Sequence, residues 1–165
     1  MKYFILLIFC SLLLVPSPTD AGVEDRMTLV RALLGEAGWR PRNDHPAILH
    51  VLERRRKNLP AFECYTLTEM AQAYANFLDP DRDPELPHRA AIKALNIDTA
   101  PGWAVKLVDK FLKDPNSVKD PCRGKAWHWG ATWEVNVSKK RKVDCGYTLN
   151  VFTTLKKGVI SVARR

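Results

Sequence analysis

The sequence predicts an α+β fold, a mainly helical body followed by a small C-terminal antiparallel β region, and three observations lead there. Apolar residues recur at near-helical spacing through the first two-thirds of the chain. Helix-opening and helix-breaking residues punctuate that stretch at short intervals. After Asp114-Pro115-Asn116 the apolar residues instead alternate with polar ones, the period of a half-buried strand.

The first residues read as an address label. Lys2 precedes an apolar run from Tyr3 to Val15, which is short for a bilayer span. Pro16, Ser17 and Pro18 end the run, and Thr19-Asp20-Ala21 is an acceptable small-residue cleavage site before Gly22. Residues 1–21 are therefore expected to be a secretory signal peptide, with an uncleaved anchor as the rival reading. Cys10 follows bulky Phe9 inside the apolar run, which is not a lipid-attachment context. A single domain is expected over residues 22–165, secreted or periplasmic.

The helices follow in order. Asp25 can cap a helix with apolar positions Met27, Val30, Leu33 or Leu34, and Ala37, which should stop near Gly38 and Trp39. Asp44 can cap the next, with Pro46 in its first turn and a buried stripe of Ala47, Ile48, Val51 and Leu52. Its basic ending, Arg54-Arg55-Arg56-Lys57, complements the helix dipole and on that account needs no functional explanation. Thr66 with Glu69 forms a capping box opening a helix through Met70, Tyr74 and Leu78. The acidic, proline-containing stretch Asp79–Pro84 reads as a solvated loop, its oxygen ligands too irregular for calcium. Further helices are expected over 87–95 and 101–112, the latter burying Trp103, Leu107, Val108 and Phe111.

Strands are expected where Trp133, Val135 and Val137 alternate, and again along Val143, Cys145, Tyr147, Leu149 and Val151. Ser138 to Lys142 reads as a basic hairpin loop between them, and Val159–Val162 as a short third strand. No internal repeat or Gly/Ser-rich linker divides the chain.

Composition narrows the partners. With 26 Lys and Arg against 18 Asp and Glu, the formal charge is +8, suited to an anionic wall polymer, lipid headgroups or nucleic acid. Nucleic acid is not expected: the basic clusters at 54–57 and 139–142 lie on different elements, without a helix-turn-helix or RNA-binding signature. Peripheral membrane contact stays open. Beyond the signal peptide three cysteines remain, Cys64, Cys122 and Cys145, and in an oxidising compartment one pair should close. Cys122–Cys145 is preferred because it ties the start of the C-terminal region to its later strand. The leftover thiol is then buried and inert, or pairs between chains. No Cys-x-x-Cys spacing suggests zinc or redox chemistry.

Candidate catalytic groups are few. No Gly-x-Ser-x-Gly elbow, nucleotide loop or His-Glu-x-x-His helix is present. His45 and His50 are five apart and point from different helix faces, so neither metal nor cofactor is expected, and both read as surface or helix-end histidines. Glu36 stands out, flanked by Gly35 and Ala37-Gly38 at a helix end. A carboxyl there feels the negative pole of the helix, which disfavours ionisation. Covered by apolar groups, it could hold a proton at working pH and donate it. Trp127, His128 and Trp129 read either as a sugar-stacking surface or as packing at the helix-to-strand junction, composition favouring packing.

Four segments carry a resemblance. Val30-Arg31-Ala32-Leu33-Leu34-Gly35-Glu36-Ala37 is a helix ending in Gly-Glu-Ala. Ala47, Ile48, Leu49, Val51 and Leu52 lie in a second helix ending at Arg54-Arg55, and Leu59-Pro60-Ala61-Phe62 leads into a third. In this order, and with Asp120-Pro121-Cys122-Arg123-Gly124-Lys125-Ala126 before its aromatics, the chain resembles bacterial cell-wall hydrolases of the SleB/CwlJ type. It departs from them where His128-Trp129-Gly130 replaces an aromatic-Asn-Pro run, and from Thr132 onward. The resemblance implies a lysozyme-like helical body, peptidoglycan as substrate, and Glu36 as general acid on a glycosidic bond, with Trp127, His128 and Trp129 as substrate contacts. Glu53, Glu63, Glu69 and Glu134 are the second carboxylates on offer, and nothing in the sequence selects one. The alternative is a non-catalytic exported domain that binds wall polymer or an envelope protein.

Overall fold

A computed structural model of the chain describes residues 18–75, 87–131 and 142–154. Among the described residues five helices and a three-stranded sheet share one hydrophobic core: α1 (Pro18–Ala37), α2 (Asp44–Asn58), α3 (Leu67–Tyr74), α4 (Pro87–Lys93), α5 (Gly102–Lys113), then β1 (His128–Gly130), β2 (Lys142–Val143) and β3 (Val151–Thr153). The predicted fold class, mainly helical α+β with a small antiparallel sheet, is the one observed.

Helix α1 is the axis. From Met27 to Leu34 only Arg31 breaks a run of buried residues, so the helix is covered almost all round. It touches α2, α3, α4 and α5, so Leu29 and Ala32 are buried along with the expected Met27, Val30, Leu33, Leu34 and Ala37. It also starts earlier than expected: Pro18 lies at its first position and Asp25 lies inside it rather than capping it. The far end stops as predicted. Gly38 turns into the left-handed region at φ 83°, where a glycine carries no steric penalty, and its N–H donates to Leu34 O at 2.9 Å.

Helix α2 buries Ala47, Ile48, Leu49, Val51 and Leu52 against that axis. Its start differs from the reading above. Asn43 occupies the cap position, and Asp44 is fully buried and receives the backbone N–H groups of Leu149 and Asn150 instead. Two unpaired N–H groups on an incoming loop are a stronger demand than the helix end, which Pro46 already relieves of one donor. Helix α3 has the predicted capping box, with Thr66 and Glu69 bonding reciprocally. Helix α5 buries Val108 and Phe111 fully, and Trp103 and Leu107 partly.

The sheet has the order β1-β3-β2, antiparallel throughout. Trp129, Phe152 and Val143 stand side by side across it and form its buried row. The expected continuous strand from Val143 to Val151 is not formed. Asp144 Oδ1 accepts from Gly146 N–H at 2.9 Å, and Gly146 adopts φ 75°, turning the chain so that Tyr147 and Leu149 are exposed. A side chain at Gly146 would also collide with Asn43, whose Nδ2 lies 2.6 Å from an added Cβ. The expected strands at 133–137 and 159–162, the loop residues 138–141 and the acidic loop 79–84 lie outside the described residues.

Cys122 and Cys145 form the disulfide, as expected. Cys64 is exposed, not buried. Its neighbourhood after the 3₁₀ turn Pro60–Phe62 is surface loop, so no core position exists for it.

Candidate functional site

Glu36 lies in the last turn of α1, and the fold brings β1 up against it. Trp129, paired with Phe152 in the sheet, is only 5% exposed, and its indole Nε1 donates to Glu36 Oε2 at 3.0 Å. Asn150, entering β3, donates its Nδ2–H to the Glu36 backbone carbonyl at 2.9 Å. The same amide nitrogen lies 3.0 Å from Asp44 Oδ1, while that carboxylate also accepts the Asn150 backbone N–H at 2.7 Å. The end of α1, the start of α2 and the start of β3 thus meet at one amide side chain.

Arg55 backs the other side of Trp129. It is 5% exposed and donates to Trp127 O at 2.6 Å and to His128 Nδ1 at 3.1 Å. Its guanidinium lies 4.1 Å from the Tyr74 ring centroid and 5.9 Å from that of Trp129. Burial lowers the Arg55 pKa from its usual value, and burial raises that of Tyr74 against partial opposition from the Arg55 charge. Because arginine only donates, His128 Nδ1 is an acceptor and its ring proton sits on Nε2. Arg54 holds the preceding residues through Ala126 O and through Asp120 Oδ2 at 2.7 Å.

The reading of 54–57 as a plain dipole-complementing ending is therefore corrected for its first two members. The side chains of Arg54 and Arg55 reach from the helix to residues 120–129 and bond the Ala126 and Trp127 carbonyls of that segment. Only Arg56 and Lys57 fit the simpler description, pairing with Glu53 at 2.7 and 2.9 Å.

Of the nominated contacts, Trp129 meets Glu36 directly. His128 is exposed, and Trp127 is half-buried with the Arg54 guanidinium 5.9 Å from its ring centroid. The packing and substrate-facing readings thus divide: Trp129 packs, while Trp127 and His128 keep accessible surface.

Among the alternative carboxylates, Glu69 is taken up by the capping box. Burial alone would raise the Glu53 pKa, but hydrogen bonds from Arg56 and Lys57 outweigh it and hold Glu53 below its usual range. Glu63 is exposed, and Glu134 lies outside the described residues.

His45 is a correction. It is fully buried, not a surface group: Nε2 donates to Gly38 O at 3.0 Å, Nδ1 accepts from Arg42 N–H at 3.3 Å, and Trp103 packs edge-on at 4.7 Å. The ring ties the turn that follows Glu36 to α2. His50 likewise serves packing, bonding Val118 O at 2.8 Å beside Phe111. Among the described residues no cluster of three His, Cys, Asp or Glu could hold a metal. Nor, among them, is any helix long and apolar enough to cross a membrane.

Arg55, Asn150 and Asp44 were not nominated from sequence. Three consecutive arginines on a helix with a buried stripe were the signal for the first, since the residue three after Leu52 falls on the buried face. Asn150 and Asp44 act through contacts more than a hundred residues apart in the chain, and local pattern carries none of that.

Comparison with known proteins found no match. No family model, curated protein or solved structure matches this chain.

Proposed function

We propose that the protein cleaves the glycosidic bonds between amino sugars in peptidoglycan, with Glu36 as general acid. The observation that carries the reading is the hydrogen bond from Trp129 Nε1 to Glu36 Oε2, which holds the carboxyl of the helix-end motif at a fixed position. Indole only donates, and the carbonyl-type oxygen of a carboxylic acid is its better acceptor. A proton on Glu36 then sits on Oε1, and transfer from Oε1 to the leaving sugar oxygen assists departure through an oxocarbenium-like transition state. Trp127 and His128, accessible on the neighbouring segment, are the substrate contacts in this reading. Resemblance to SleB/CwlJ-type hydrolases supports the choice of substrate. The signal-peptide-like start and the Cys122–Cys145 bond support export to the cell envelope or beyond.

Completion of the reaction takes one of two routes. A water activated by a second carboxylate gives hydrolysis, whereas attack by the substrate's own hydroxyl closes an anhydro ring without one. Zymography on purified peptidoglycan, comparing wild type with Glu36→Gln, tests the role: clearing by wild type alone, with wall binding and thermal unfolding alike in both, is the expected result. Equal clearing by the two proteins overturns it. Binding without clearing by wild type makes the protein a wall-binding module. The mass of the released fragments separates the two routes, since ring closure leaves products one water lighter.

A further inference from the structure

A second surface carries its own chemistry. Beside the disulfide lies an open groove of about 820 Å³ whose lining includes neither Glu36 nor the Trp127–Trp129 segment. Lys110, Lys119, Arg123, Lys125 and Lys142 line it, all exposed, against two carboxylates, Asp120 and Asp144. Asp120 is already bound to Arg54, and Asp144 caps the turn at Gly146. Among the described residues none of the five cations has an ion-pair partner, whereas Arg26, Arg31, Arg54, Arg56 and Lys57 all do.

The cations stand on a built frame. Asp120 accepts the N–H groups of Cys122 at 2.8 Å and Gly124 at 2.7 Å, closing the turn that presents Arg123 and Lys125. Arg123 itself is held at φ 52°, a conformation that a non-glycine residue keeps only when its surroundings impose it. The disulfide joins this turn to the segment after Lys142, and Val118 and Val143 fill in the floor. Clustering five like charges costs free energy, least in water and less again with an anion between them.

We propose that this groove binds a polymer strand bearing repeated phosphate or carboxylate groups and lacking aromatic rings. A concave lining suits a strand better than a flat membrane surface. No aromatic side chain lines it, so nucleic-acid bases would find no stacking platform. Lysine ammonium groups act as point charges that accept anions of varied geometry, in keeping with a polymer rather than one shaped ligand. The inference stands apart from the reading of Glu36, and Glu36→Gln should bind as wild type does.

The test uses the full chain with its disulfide intact, titrated with inorganic polyphosphate, poly-L-glutamate, single-stranded DNA and anionic phospholipid vesicles. Arg123→Gln/Lys125→Gln is compared with Lys93→Gln/Lys106→Gln, which removes the same charge from exposed sites outside the groove. The groove variant should lose roughly tenfold in affinity for polyphosphate or poly-glutamate at low salt, with a salt dependence shallower by about one to two charges. The control pair should stay within about twofold of wild type. If the first pair fails to fold, Lys119→Gln/Lys142→Gln takes its place. Equal losses in groove and control variants overturn the proposal, as does tighter binding of DNA or vesicles than of either polymer. Which polymer binds tighter separates a phosphate source from a carboxylate source.

Discussion

Trp129 Nε1 donates to Glu36 Oε2 at 3.0 Å across 93 residues of sequence. The bond joins the sheet to the end of the central helix, and it places the best carboxylate candidate against a side chain that the core holds on its other faces. Trp129→Phe removes the donor and keeps most of the buried ring. Loss of a hydrogen bond to a partly exposed carboxyl is worth about 1–2 kcal/mol. Clearing of a peptidoglycan suspension should therefore slow by roughly tenfold if that energy is felt in the transition state. A variant that folds and clears at the wild-type rate would show that the indole only packs.

Arg55 should matter more for stability than its place in a basic run suggests. Its guanidinium satisfies Trp127 O and His128 Nδ1, lies against Tyr74, and leaves Nη1 buried without a hydrogen-bond partner. Arg55→Ala strands the Trp127 carbonyl and empties the space beside Trp129. A loss of about 2–4 kcal/mol in urea unfolding is expected. Arg55→Lys should recover less than half of it, because one ammonium lacks the fork that reaches both acceptors. Arg56→Ala, which removes a partly exposed guanidinium and leaves Lys57 paired with Glu53, should cost under about 1 kcal/mol.

Much of the helical body was legible because its signals are local. Thr66 and Glu69 lie three residues apart and cap α3, while Gly38 stops α1 where the apolar period ends. The sheet was less legible because its order rests on distant pairings. Val143 to Val151 alternates as a strand would, yet Asp144, Gly146 and the remote Asp44 carboxylate bend it into a loop. The site was legible in part for the same reason. Glu36 carries a helix-end signal in its own neighbours, but Asn150 and Arg55 reach it only through the fold.

Asp44 supplies a sharper test of that long-range frame. Its buried carboxylate accepts from Leu149 N, Asn150 N and Asn150 Nδ2. Asp44→Ala leaves the two backbone N–H groups without that acceptor, while Asn150 Nδ2 keeps the Glu36 carbonyl, and should cost about 3 kcal/mol. Asn150→Ala should be milder in stability, since the backbone bonds to Asp44 remain. Because Asn150 also holds the Glu36 carbonyl, clearing by Asn150→Ala should fall further than its unfolding midpoint suggests. A proportionate fall in both would assign Asn150 a structural role alone.

The disulfide joins residues 23 apart in sequence. Closing a loop of that size restricts the unfolded chain, a contribution of about 3 kcal/mol. Cys122→Ser/Cys145→Ser should lower the urea midpoint accordingly, and wild type in reductant should match the double variant. Cys64 is exposed and should react with a thiol reagent in the folded protein without changing that midpoint.

His45 sets a pH dependence whose sign follows from its burial. Desolvation lowers the folded-state pKa below the ordinary value of 6.5, against weaker opposition from the Gly38 and Arg42 backbone. Well above pH 6.5 the ring is neutral in both folded and unfolded chains and contributes no pH dependence. Below it the unfolded chain takes up a proton that the folded chain refuses, so stability falls as pH drops from 6.5 toward the folded pKa. The slope for one proton approaches about 1.4 kcal/mol per pH unit. His45→Gln keeps a donor for Gly38 O but cannot titrate. It should be less stable than wild type at pH 7.5 and lose less between pH 6.5 and 5, as read from urea midpoints. An identical decline in both proteins over that interval would move the acid sensitivity from His45 to other groups.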